Sequence, residues 1–232
     1  MGQLIRSQAE ARGHEVLGMF DSGNLEELSA LSEKADVVVD FSHAANLSWI
    51  CAYVRANGAA LVYGTTGLSD AEEDMLRKLS EEAPVFYSAN FSYGIAVLRK
   101  ALKLVTPMLS DSFDIEVIET HHNQKKDAPS GTAKMLVQAM DPKGEFARVY
   151  GREGMTGARG KEIGIHAVRG GTVAGIHEVE FFGQDETLSF QHTATSRVIF
   201  ANGAIRAAEF IAEKNGGACG KQAGLYDMDD LV

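Results

Sequence analysis

The sequence predicts an α/β protein in two parts, a doubly wound parallel sheet and then an α+β region with a mostly antiparallel or mixed sheet. Three patterns say so. In the first half, short apolar runs alternate with helix-period segments, the signature of βα units. In the second half, alternating runs over 162–169, 173–182 and 187–194 follow one another with no helix between them. A hydrophobic share of 45% over 232 residues suffices to build a core.

Residues 1–12 read as a helix that Gly13 stops. Residues 14–20 read as a strand ending at Asp21, and 24–34 as a short helix with a polar cap. Three consecutive valines within 36–41 suggest a strand buried on both faces. A helix over 43–57 ends at Gly58, and 60–63 form a strand that runs into Gly64-Thr65-Thr66-Gly67. Ser69 caps a charged helix reaching about residue 82, with Glu72 at the capping-box position. The next strand is 84–88. After a helix near 95–109, the run 113–119 alternates apolar and acidic residues like a half-buried strand. A helix follows over 132–140, then a Gly- and charge-rich loop over 151–160, and a last helix over 197–215.

A dinucleotide-binding sheet opens with a strand and a Gly-rich turn. This sequence opens inside the helix that follows such a turn, with Met1-Gly2 where a glycine fingerprint would end. The first strand is therefore expected to be missing and the native chain to be longer.

Charge and cysteine content narrow the function. A formal net charge of −10 argues against a non-specific nucleic-acid or anionic-membrane binder. A small anion remains compatible, because local charge decides its binding. Cys51 and Cys219 stand far apart, so neither a disulfide framework nor a zinc site is expected, and a reducing cytosol fits. Neither a secretory apolar region nor a run of membrane-span length is present in the sequence.

The densest chemistry is the stretch from Glu119 to Thr132, which holds His121-His122, Lys125-Lys126 and Pro129-Ser130-Gly131-Thr132 on a strand-to-helix connection. Side chains alternate along a strand, so His121 and His122 face opposite ways and cannot share one role. One histidine can donate a proton while the other binds or orients. Lys125 can approach a carboxylate and supply a proton. The helix start at Ser130-Gly131-Thr132 offers N–H groups and a dipole that attract an anion. Together these suit a small di-anion that is to be protonated. Neither histidine has Cys or carboxylate partners at metal spacing, so no metal is expected. His166 and His177 read as half-buried strand residues, and Lys126 with Asp127 as a surface pair. Arg169-Gly170-Gly171 is a turn that can supply a cation to the site or to a subunit contact.

The first half offers weaker signals. Gly64-Thr65-Thr66-Gly67 and Ser88-Ala89-Asn90-Phe91 end consecutive strands, where a parallel sheet binds ligands. Each alone is also ordinary loop punctuation. Asp21 fits a solvated turn before Gly23. In a nucleotide-binding sheet the same acid would bond ribose hydroxyls and repel a 2′-phosphate.

The run from Glu119 to Thr132 resembles the bacterial dihydrodipicolinate reductase family, whose members are also called 4-hydroxy-tetrahydrodipicolinate reductases. Gly64 to Gly67, Ala89 to Ser92, Ile163 to Gly171, and Ser196-Arg197 with Phe200 to Ala204 fit the same family, so the resemblance covers nearly the whole chain. It implies a Rossmann-type domain over 1–92 and 202–232 and a substrate-binding, oligomerisation domain over 93–201. It implies NADH- or NADPH-dependent reduction of a cyclic dicarboxylate in the diaminopimelate route to lysine, in a cytoplasmic homotetramer. By resemblance His121 is the acid/base residue and Lys125 the proton donor. His122, Gly131 and Thr132 are substrate contacts. Gly64, Thr65, Thr66, Ser88, Ala89, Asn90 and Phe91 are cofactor contacts, with Asp21 at the ribose. Asp21-Ser22 has no basic neighbour, which points to NADH being tolerated. The departures are the absent glycine fingerprint and Ile176, where members often carry an acid.

Two other readings stay open. One is a non-catalytic dicarboxylate-binding homologue without cofactor use. The other is a different two-domain reductase. An aldehyde dehydrogenase with a catalytic thiol is disfavoured, because Cys51 falls in a helix and Cys219 in a Gly-rich tail.

Overall fold

The computed structural model describes residues 1–21, 23–212 and 220–232. It divides into two units, Met1–Tyr93 with Val198–Val232, and Gly94–Arg197. Ser22, residues 213–215 of the last predicted helix, and Cys219 lie outside the described residues.

The first unit begins with α1 (Gly2–Ala11), which ends before Gly13 at φ +82°, a left-handed conformation that glycine adopts without strain. Then come β1 (Val37–Asp40), α2 (Leu47–Asn57), β2 (Ala60–Tyr63), α3 (Asp70–Ser80) and β3 (Pro84–Tyr87). The predicted capping box is present, with Ser69 and Glu72 satisfying each other's backbone N–H groups. Leu47, Ile50, Val54, Leu61, Leu79 and Val85 form the core between α2, α3 and the sheet.

The second unit carries most of α4 (Tyr93–Leu109), then β4 (Asp114–His121), α5 (Gly131–Met140) and β5 (Ala147–Val149). The strands β6 (Glu162–Arg169), β7 (Gly175–Phe182) and β8 (Thr187–Ala194) complete it. The chain returns to the first unit through α6 (Val198–Ala212) and β9 (Gly224–Tyr226). The first sheet runs β1-β2-β3-β9 with all pairs parallel. The second runs β5-β6-β4-β7-β8 and is mixed: β5, β6 and β4 are parallel, and β7 and β8 add antiparallel pairs.

Several local expectations are corrected. Residues 14–20 join no ladder, because none of the described strands lies beside them. Residues 24–34 give only a 3₁₀ turn at Leu25–Ala30. The valines of β1 are half-buried, because β1 is an edge strand of its sheet. Residues 43–57 split into a 3₁₀ turn at Ala44–Asn46, capped by His43, and α2. The short strands β5 and β9 escape the sequence pattern, since three residues show no periodicity.

One face of the second sheet places the site. Register aligns Ile163, Ile115 and Phe181 in one rung, and Ile165, Val117, Val179 and Phe190 in the next. These pack with Leu102, Leu136 and Val137 of α4 and α5. The following rung on the same face is Ala167, Glu119, His177 and His192. Beyond it His121 stands opposite Arg169. The apolar face thus turns polar at the carboxyl end of β4.

Candidate active site

Glu119 is the centre of this polar end and is fully buried. Its Oε2 is 2.5 Å from His121 Nδ1 and accepts from Arg169 at 2.8 Å. Its Oε1 accepts from Arg169 at 2.8 Å and from the Ser130 backbone N–H at 3.0 Å. Burial pushes the Glu119 carboxyl up, but these bonds outweigh it and hold the group below the usual carboxylate range. Arg169 also donates to the Asp127 carbonyl at 2.7 Å, tying down the loop that follows the histidines.

Ser130 turns the chain into α5. Its Oγ accepts from Ala133 N–H at 3.2 Å, an N-cap, and lies 3.0 Å from His177 Nε2. Gly131 and Thr132 form the first turn of α5. Their dipoles make this end of α5 attractive to an anion. His177 is buried, and burial, with the adjacent His121, pushes it down to about 4, so it is neutral near pH 7. The rings of His121 and His177 meet edge to face at 5.1 Å.

Of the five residues predicted for catalysis or substrate contact, His121 is buried at the end of β4, and His122 and Lys125 are partly exposed just beyond it. Gly131 and Thr132 open α5. Lys125 Nζ pairs with Asp127 Oδ1 at 2.8 Å, which replaces the expected Lys126–Asp127 pair. This bond, more than any other influence, keeps the Asp127 carboxyl below its usual range. Sequence reading assigned no role to Glu119, Ser130 or His177 as a bonded set, because their partners lie up to 58 residues apart only through sheet register. The alternation of 113–121 could have flagged Glu119, which shares the face of His121.

In the first unit the two predicted loops follow the adjacent parallel strands β2 and β3. Asp40, at the end of β1, accepts from Ser42 Oγ at 2.5 Å and from Thr65 Oγ1 at 2.7 Å. Thr65 therefore faces inward while Thr66 is exposed. A side chain at Gly64 would strike the Phe41 ring, which itself meets the Phe91 ring at a tilt, 4.9 Å between centroids. Ser88 Oγ accepts from Asn90 N–H at 3.2 Å, and Asn90 Oδ1 accepts from Ser92 N–H at 2.8 Å. Phe91 is buried as a whole residue, with its carbonyl packed against Gly203, so it supports its loop from behind. Neither loop carries a charged side chain, and Gly64 and Gly67 allow close approach to the backbone of the first. That chemistry fits the uncharged nicotinamide end of a dinucleotide better than its phosphates. Asp21 is exposed, and its Oδ1 accepts from Gly23 N–H at 2.8 Å, the solvated-turn arrangement. Among the described residues no cluster suits a metal ion, and no helix is long and apolar enough to cross a membrane.

Comparison with known proteins follows the same division of the chain. A family model described as dihydrodipicolinate reductase, N-terminus, matches residues 1–91, and one described as dihydrodipicolinate reductase, C-terminus, matches residues 94–232. A 4-hydroxy-tetrahydrodipicolinate reductase from an Exiguobacterium species is 41% identical over 100% of this chain and 91% of its own length. One from Acinetobacter baumannii is 42% identical over 99% of this chain and 82% of its own. One from Caldanaerobacter subterraneus is 44% identical over 89% of this chain and 80% of its own. A dipicolinate-bound dihydrodipicolinate reductase structure from Paenisporosarcina sp. TG-14 aligns with a TM-score of 0.78 over 100% of this chain and 95% of that one. At 22% identity that likeness concerns the fold.

Proposed function

The chain belongs to the dihydrodipicolinate reductase family, and we propose how its residues divide the work of that enzyme. It is an NAD(P)H-dependent oxidoreductase that reduces 4-hydroxy-tetrahydrodipicolinate to tetrahydrodipicolinate. The cofactor, NADH or NADPH, supplies the hydride when bound. Gly64, Thr65, Thr66 and the segment Ser88, Ala89, Asn90 would hold its nicotinamide end through backbone groups and the exposed Thr66 hydroxyl, with Phe91 buried behind them. Asp21, exposed, would serve the ribose through carboxylate lone pairs beyond the one that accepts from Gly23 N–H.

The substrate is a small cyclic dicarboxylate, in keeping with the dipicolinate carried by the Paenisporosarcina protein. One carboxylate takes the N–H groups of Gly131 and Thr132 at the start of α5. His122 adds a polar contact beside it. The 4-hydroxyl leaves as water, taking one proton while a neighbouring ring C–H gives one up, and reduction then adds a hydride and one further proton. His121 is the acid/base residue and works through Nε2, the ring nitrogen not committed to Glu119, accepting the C–H proton there and passing one to the departing hydroxyl. Lys125 leaves Asp127 to meet the substrate and donates the proton that accompanies the hydride. The single observation that carries this reading is the strand-end rung itself, where an acid/base histidine and an anion-binding helix start share one buried carboxylate.

The chain acts in the diaminopimelate route to lysine, in the cytoplasm, as a homotetramer. The tetramer reading is supported by the outer face and edge of the second sheet, where Val168, Phe182 and Leu188 are exposed. The test is coupled turnover of the synthase product with NADH and NADPH in parallel, for the wild type, His121→Gln and Lys125→Ala. Each substitution is expected to lower kcat by roughly 10²-fold or more, the contribution of a positioned proton donor. Undiminished turnover in both variants would overturn the assignment of roles.

A further inference from the structure

We propose that Glu119 is a positioning residue, which fixes the proton-bearing nitrogen of His121 and the substrate-anchoring start of α5 to one carboxylate. The proposal rests on the role of His121 given above and adds to it a residue to which no role has been assigned.

An ionised carboxylate only accepts hydrogen bonds. With Glu119 Oε2 2.5 Å from His121 Nδ1, the proton of the neutral ring sits on Nδ1, and Nε2 is the nitrogen left to exchange protons with a substrate. Gly175 keeps that nitrogen approachable. It stands next to Ile176, whose partner on β4 is Thr120, and a Cβ at Gly175 would lie 3.1 Å from His121 Nε2. The other oxygen, Oε1, accepts from Ser130 N–H, so the residue that caps α5 is fixed to the same group. Arg169 bridges both oxygens, which stops the carboxylate from rotating and keeps it ionised although it is wholly buried. His177 packs edge-on to His121 and bonds Ser130, closing the ring of contacts. Displacing a catalytic group by an ångström can cost about 10²-fold in rate, so a shared anchor is mechanistically valuable.

Glu119→Gln tests this, because glutamine keeps the shape and brings an amide NH₂. Ser130 N–H and one Arg169 N–H need the carbonyl oxygen in the Oε1 place, so the NH₂ takes the Oε2 place, where it loses the second Arg169 bond and faces His121 Nδ1, and the neutral ring is driven to carry its proton on Nε2 instead. The measurement is kcat and KM for the synthase product in the wild type, E119Q, H121Q and the double variant, with thermal unfolding of each as a folding control. E119Q is expected to lose about 10–100-fold in kcat with KM within about threefold, and the double variant to match H121Q within about twofold, because Glu119 acts through His121. Fully additive losses, or an E119Q that turns over like the wild type, would overturn the proposal. If H121Q itself stays active, the role of His121 fails and the proposal falls with it. If H121Q is impaired and E119Q is not, only the positioning role falls. Should E119Q not fold, Glu119→Asp, which keeps the charge for Arg169 but shortens the reach to His121, is read against the same expectations.

Discussion

The two faces of β4 carry nearly the same ion-pair chemistry and differ in what stands beside it. On the outer face, Glu116 bonds His166 Nε2 at 2.7 Å and pairs with Arg152 at 2.8 Å and Arg159 at 3.1 Å. On the inner face, Glu119 bonds His121, Arg169 and Ser130 N–H. Both carboxyls are raised by burial and brought below their usual range by their bonds. Yet the outer group sits at mid-strand, where its arginines pin the loop over 151–160 onto the sheet. The inner one sits where the strand ends and a helix begins, so its partners are the histidine proposed as acid/base and the helix start proposed to hold the substrate. A carboxylate, histidine and arginine do not make a catalytic site by themselves. Their place relative to free chain ends and helix dipoles decides.

The sharpest way to break this comparison is to remove one arginine from each face. Arg169→Met leaves Glu119 fully buried without a counter-ion, and an orphaned buried charge costs about 3–5 kcal/mol. Arg159→Met leaves Glu116 with Arg152 and His166, so a loss of roughly 1 kcal/mol is expected. Denaturant unfolding measures both. Equal losses would mean that the two clusters are energetically alike.

Much of the inner face was legible in the sequence, and the reason it stopped is geometric. Alternation over 113–119 marked β4, and Pro129-Ser130-Gly131-Thr132 marked the helix start, because both signals are local. Arg169 and His177 were not legible as partners of Glu119 and Ser130, since 50 and 47 residues separate the pairs and only strand register joins them. The half-burial of Val37, Val38 and Val39 was missed for the same reason, because a sequence does not say which strand ends a sheet. Lys125, rather than Lys126, reaches Asp127 because the turn after β4 brings its backbone N–H to the His122 carbonyl. The loops proposed to hold the cofactor were visible as Gly-Thr and Ser-Asn turns, but the Asp40 carboxylate that accepts from Thr65 of one loop and from Ser42 after β1 was not.

His177 provides the next test, through pH. In the unfolded chain it binds a proton below about 6.5, and in the folded chain only below about 4. Between those values the unfolded state holds more protons, so stability falls as pH drops from about 6.5 towards 4. The ceiling is roughly 3 kcal/mol for a difference of this size. His121, His192 and Lys125 oppose a charge on His177 while Glu119 favours it, so the slope reports the inner face as a whole. His177→Gln is expected to flatten unfolding free energy over that window. An unchanged slope would show that His177 is not held neutral.

The smallest effect is expected on the outer face, and it is the one that separates the two faces functionally. His166 is partly exposed, and Glu116 keeps both arginines when it is replaced. His166→Gln should therefore cost under about 1 kcal/mol, in the range of exposed ion pairs. Turnover should stay within about twofold of the wild type, because residue 166 points away from the face that bears His121. A tenfold loss of kcat at unchanged stability would mean that the outer cluster reaches the reaction. The distinction would then rest on coupling through the sheet rather than on which side chain faces the helix start.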